Sequence, residues 1–190
     1  MKKFTLPALM ALALAFCASC AKDIVVEEAL QLPVHATVRT AYNIWYNDSM
    51  EVESINYLSG SILPFGTEVV ITRATEKEIF FHTVADNRQF RIRFNKDHRM
   101  QTAREYIQTL FTADDVETIT EDISPANVEK IRRGIVEKGM TKKEVSLAYG
   151  PPCRFKTPSE TLDTWLFWTE ILISRRIIFN GGRVVEILVL

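Results

Sequence analysis

Lys138-Gly139-Met140-Thr141-Lys142-Lys143-Glu144-Val145, followed after Tyr149 by Gly150-Pro151-Pro152, sets how the chain is read. These residues spell a helix end, a new helix start and a second stop. Gly139 can take the left-handed conformation that closes a helix without a Cβ clash. Thr141 is placed to accept from the amide of Glu144 while the Glu144 carboxylate reaches back to the amide of Thr141, the capping-box pattern. Gly150 supplies the second stop, and Pro151 and Pro152 lack the amide hydrogens that would continue a helix.

Working outward from this stretch, Ser124-Pro125 reads as an N-cap followed by the proline favoured in a first turn. Val128, Ile131 and Ile135 then line one face up to Gly139. The second helix, over 142–149, turns Val145, Ala148 and Tyr149 inward. Helices this short are marginal alone and need a sheet to pack on. The strands are expected over 164–168, 171–179 and 183–189, with Asn180-Gly181-Gly182 as the turn between the last two. The sum is a two-layer α+β unit of order ααβββ over residues 124–190.

Upstream the pattern is β. Strands are expected over 36–40, 43–46, 69–71, 79–84 and 89–94, the last alternating strictly, with Phe90, Ile92 and Phe94 on one face and Arg91 and Arg93 on the other. Asp86-Asn87 reads as a tight turn. A helix over 100–111 presents Ala103, Tyr106, Ile107, Leu110 and Phe111 at three- and four-residue spacing. Residues 34–112 therefore form a small antiparallel β-barrel with a C-terminal helix. Residues 113–123, with Asp114, Asp115, Glu117, Glu121 and Asp122, read as an acidic linker lacking the glycine and terminal glutamate of an EF-hand loop.

The N-terminus differs in kind. Lys2 and Lys3 precede an apolar run from Phe4 to Cys17 that ends in Ala18-Ser19-Cys20, the layout of a secretory signal over 1–19. The run is too short for a membrane-spanning helix. Residues 20–33 read as a tether.

Three resemblances add to this. Ala18-Ser19-Cys20 resembles the lipobox of bacterial lipoproteins, which implies lipidation of Cys20 and, with Ala21-Lys22 and no immediate aspartate, an outer-membrane address; Leu14-Ala15-Phe16-Cys17 is the rival register, and an ordinary secreted protein cleaved near Ala21 is the alternative. Leu63-Pro64-Phe65-Gly66-Thr67-Glu68-Val69 resembles bacterial SH3-like domains. That likeness implies peptide or cell-wall glycan binding, with Trp45, Tyr46, Tyr57 and Phe65 either as a ligand face or as core. The quoted turns, the aromatic strand from Trp165 to Trp168 and Phe179-Asn180-Gly181-Gly182-Arg183-Val184-Val185 resemble the SmpA/OmlA (BamE-like) family, whose shape recurs in β-lactamase-inhibitor-like envelope proteins. This implies a small lipoprotein on the periplasmic face of the outer membrane that assists the machinery folding β-barrel proteins. The further options are a peptidoglycan-binding lipoprotein and a soluble periplasmic inhibitor-like binder.

Charge and chemistry narrow the function class. Residues 124–190 carry eleven Lys and Arg against seven Asp and Glu, and residues 21–123 ten against seventeen, so the two halves differ in sign and no nucleic-acid partner is indicated. With Cys17 lost and Cys20 lipidated, only Cys153 remains as a free thiol. His35, His82 and His98 are far apart and outside any metal-ligand spacing. There is no phosphate-binding glycine loop, no Gly-x-Ser-x-Gly elbow and no His-Glu-x-x-His. The expectation is a non-enzymatic binding protein without metal or cofactor.

Overall fold

A computed structural model of the chain describes residues 23–32, 36–95 and 101–190. In chain order the elements are α1 (Val26–Leu30), β1 (Val38–Thr40), β2 (Ile44–Tyr46), β3 (Glu51–Glu53), β4 (Ser61–Leu63), β5 (Glu68–Ala74), β6 (Glu78–Thr83), β7 (Gln89–Arg93), α2 (Ala103–Leu110) and β8 (Phe111–Thr112). They are followed by α3 (Val116–Thr120), α4 (Pro125–Arg132), α5 (Lys142–Tyr149), β9 (Thr164–Trp168), β10 (Ser174–Asn180) and β11 (Arg183–Val189). The chain is a mixed α+β protein whose largest sheet curls into a half-barrel.

That sheet has the order β3-β7-β6-β5-β1-β8. Its strands follow the period-two rule read from the sequence: Phe90 and Ile92 point into the core, and Arg91 and Arg93 meet Glu78 and Glu51 on the wet face. The turn between β6 and β7 places Asn87 at φ 54, a conformation asparagine tolerates. The sheet departs from the expected antiparallel barrel at one edge, where β3 pairs parallel with β7. A parallel neighbour needs a crossover, and the chain supplies it between β3 and β7. Helix α2 is shorter than its apolar spacing suggests, because Thr102 and Glu105 form a capping box at its start and Phe111 already belongs to β8.

The segment expected to be a tether is folded from Asp23 onward. Ile24 donates to Ala74 O at 2.8 Å, Gln108 Nε2 donates to Ala29 O at 2.8 Å, and Ala29 is fully buried in the first core. Sequence reading missed this docking because α1 exposes Glu27 and Glu28 and buries one small side chain. Likewise the acidic stretch is only partly solvated: Asp115 caps α3, and Val116, Ile119 and Ile123 pack on the second core.

The second sheet is the meander β11-β10-β9, with α4 and α5 in the same lobe. Two boundaries shift from the sequence reading. Helix α4 stops at Arg132, seven residues before Gly139, because Gly134 closes it: Gly134 N–H donates to Ile131 O and Ile135 N–H to Lys130 O, the paired bonds of a Schellman motif. Strand β10 starts at Ser174 and not at 171, which leaves Ile171, Leu172 and Ile173 in the β9–β10 turn.

Two cores result. The first collects Phe81, Phe90, Ile92, Ile107 and Leu110; the second collects Ile131, Val145, Tyr149, Trp165, Phe167, Ile177 and Phe179. Leu58 and Phe65 come from the N-terminal half yet lie in the second. The ribbon β2–β4 explains how. Ile44 and Leu63, opposite each other, face the first core, while Trp45 on the alternate side packs on the second.

Candidate functional site

The residues that bear on function fall into a buried seam and two surface regions. In the seam, Asn43 is wholly buried; its Nδ2 donates to Ile131 O and to Ala148 O, and its Oδ1 accepts from Phe65 N–H. Asn56 Nδ2 donates to Tyr149 O at 2.8 Å, and Trp45 Nε1 to Ala148 O at 3.3 Å. The last turn of α5 thus presents its free carbonyls to side chains of the other lobe, which is how a helix end is satisfied inside a protein. Gly150 sits against this seam, where a Cβ would lie 2.8 Å from Tyr42 Cε2 and 2.9 Å from Asn56 Nδ2. Pro151 and Pro152 follow it beside Tyr42 and Tyr106. Burial pushes both of these phenols well up from the ordinary range.

The cap at Thr141 is complete. Glu144 N–H donates to Thr141 Oγ1 at 3.2 Å, Thr141 N–H to a Glu144 carboxylate oxygen at 2.6 Å, and Asn127 Nδ2 to the other carboxylate oxygen at 2.6 Å. Burial raises the Glu144 pKa, but the hydrogen bonds from Thr141 and Asn127, with Arg183 nearby, outweigh it and hold the carboxyl below its usual range. Gly139 lies in the turn before this helix and donates to Val184 O at 2.8 Å, tying the cap to β11. Beside the cap, Lys142 Nζ donates to the carbonyls of Glu160, Thr161 and Leu162, with the rings of Trp165 and Phe179 within 6 Å.

Of the four aromatic candidates, the structure brings three together and removes one. Phe65 is fully buried in the second core with the Arg132 guanidinium over its ring. Trp45, Tyr46 and Tyr57 line a cleft of about 170 Å³ with Glu51, Glu53 and Gly60. Glu51 is held by Arg91 and Arg93. Burial, then the Glu53 carboxylate, then Cys153 raise the Tyr57 pKa, so Tyr57 presents a neutral hydroxyl. Partly exposed rings beside carboxylates suit a ligand rich in hydroxyls or carrying positive charge.

The second surface region was not singled out by the sequence. Beyond Tyr57 and Ser59 opens a largely apolar concavity of about 730 Å³, walled by Thr169, Glu170, Ile171, Leu172 and Ile173. Ile171 is 80% exposed and Leu172 88%. A sequence signal existed: Glu170-Ile171-Leu172-Ile173 breaks the period-two alternation of a strand with one wet face.

No family model, curated protein or solved structure matches the chain.

Cys20, the expected lipidation site, lies outside the described residues, as do His35 and His98. Cys153 is a half-buried free thiol whose sulfur accepts from Trp168 Nε1 at 3.3 Å. Among the described residues no group of three His, Cys, Asp or Glu side chains is placed to hold a metal ion. None of the described helices is long and apolar enough to cross a membrane.

Proposed function

We propose that the protein is an outer-membrane lipoprotein, anchored at Cys20, that acts without catalysis as a protein-interaction component of the cell envelope and serves the assembly of outer-membrane β-barrel proteins. The observation that carries the reading is the pairing of a lipobox-like Ala18-Ser19-Cys20 with an exposed apolar concavity at Ile171, Leu172 and Ile173. A soluble protein seldom exposes contiguous aliphatic side chains without a partner for them. In this proposal the second lobe is a BamE-like domain, supported by α4 and α5 in one lobe with the meander β9-β10-β11, and the first is an SH3-like barrel variant with the parallel edge at β3. The test is intact mass and membrane fractionation of wild type against Cys20→Ala, joined to recovery of partners from detergent extracts by wild type against Leu172→Asp. The expected result is an acylated, outer-membrane wild type, a soluble mutant, and loss of assembly subunits from the Leu172→Asp eluate. Failure to recover those subunits with wild type would falsify the assembly role.

A second reading, cell-wall binding, is favoured by one observation, the cleft that gathers Trp45, Tyr46 and Tyr57. Phe65 takes no part in it. Co-sedimentation of the full chain with peptidoglycan, compared with Tyr46→Ala and Tyr57→Ala, decides the matter: a wild type that stays in the supernatant ends this reading.

A further inference from the structure

The two edges of the C-terminal sheet are treated differently. On β9 the outward-facing backbone is sealed: Leu58 N–H donates to Trp168 O at 2.9 Å, Cys153 N–H to Leu166 O at 3.0 Å, and Leu166 N–H to Thr157 Oγ1 at 3.0 Å. On β11 only the start is covered, where Val184 exchanges bonds with Gly139 and Met140 and Lys142 N–H donates to Gly182 O. Further along, Ser174 and Leu190 exchange both backbone bonds, so Leu188 opposite Arg176 and Glu186 opposite Ile178 also face β10. The N–H and C=O groups of Ile187 and Val189 therefore point outward, and among the described residues nothing pairs with them. Val189 is 65% exposed and Leu190 57%. Such an edge is a template for another strand.

We infer that β11 pairs antiparallel with β11 of a second copy about a twofold axis at Leu188, joining the two three-stranded meanders into one continuous sheet. The sequence of the edge is self-complementary in this register. Ile187 and Val189 of each copy exchange backbone bonds with Val189 and Ile187 of the other, giving four new hydrogen bonds. Leu188 meets its own symmetry mate at the closest cross-strand approach. Glu186, the one charged side chain from Val184 to Leu190, falls opposite Leu190, so the two Glu186 side chains do not face each other. An isologous contact of this kind closes on itself and does not propagate into fibres. The concavity at Ile171 and Leu172 is a different surface, so the inference goes beyond the docking role proposed above and is tested separately from it.

The experiment is sedimentation of the purified protein across a concentration series, with three variants. Wild type should move from monomer to dimer in the micromolar range expected of a small interface. Val189→Pro removes an outward N–H only, which an edge strand tolerates, so it should keep the wild-type melting temperature while weakening dimerisation at least about tenfold. Leu188→Pro removes an inward N–H and should lower the melting temperature. Val189→Lys places a charge on the edge and gives the same reading as Val189→Pro should the proline variant fail to fold. A wild type that stays monomeric throughout, or a dimer unaffected in Val189→Lys, overturns the inference.

Discussion

Gly134 and Gly139 both have positive φ, 65° and 89°, but they answer to different demands. A Cβ on Gly139 meets nothing within 4 Å, whereas one on Gly134 would enter the Trp45 ring and lie 2.8 Å from Ile62 Cδ1. Gly139→Ala should thus cost about 1 kcal/mol of left-handed strain, and Gly134→Ala that amount plus about 1 to 3 kcal/mol of overpacking; thermal melts of the two variants check the order. Thr141→Ala should cost about 1 kcal/mol, a drop of about 2 to 4 °C. Glu144 adds a pH signature. Its folded pKa lies below the usual 4.5, so its contribution is present above that value and disappears as the pH falls through the lower folded value. In melts from about pH 6 to pH 3, Glu144→Gln should be less stable than wild type at the upper end and converge on it at the lower. The cap was legible because Thr141 and Glu144 are three residues apart. Gly134 was not, because it lacks a neighbouring proline and its second constraint, Trp45, lies far upstream in the chain.

At the scale of elements, the longest patterns were readable: α5, β9 and β11 have the boundaries that capping, aromatic alternation and the Asn180-Gly181-Gly182 turn set. Strands β3 and β4, three residues each, offer too few positions for a period to show, and α1 exists through docking on α2. The junction between ribbon β2–β4 and α5 was likewise invisible, since asparagine in a strand region usually signals a turn. Here Asn43 is a buried three-way connector. Asn43→Leu keeps the volume but strands Phe65 N–H, while Ile131 O keeps Gly134 N–H and Ala148 O keeps Trp45 Nε1; at about 1 to 3 kcal/mol for the one orphaned group it should destabilise by about that amount, read from denaturant unfolding. Lys142→Met removes an ammonium shared by three carbonyls of the 159–163 loop; limited proteolysis should then cut that loop faster while α5 stays helical.

For the whole molecule, the expected division into a β domain and a separate ααβββ domain meets a core that ignores it. Leu58 and Phe65 complete the hydrophobic cluster under β9, β10 and β11. A fragment spanning residues 113–190 should therefore lack a fixed near-ultraviolet dichroism signal, and the intact chain should melt in one transition, with calorimetric and van't Hoff enthalpies equal. Two separate transitions would show that the seam is weaker than its hydrogen bonds imply. Domain modularity is what the sequence suggests most strongly, since composition and charge both change near residue 123; contacts between distant segments carry no local mark. The seam also decides how the molecule bears tension. If it is held at Asp23 and pulled at Leu172, the load runs from the β9–β10 turn through Trp168 and Leu58, across Asn43 and Asn56, and out along β5 to the bridge between Thr75 and Asp23. No slack linker lies on that path, so a stretching trace should show one stiff link that ruptures once.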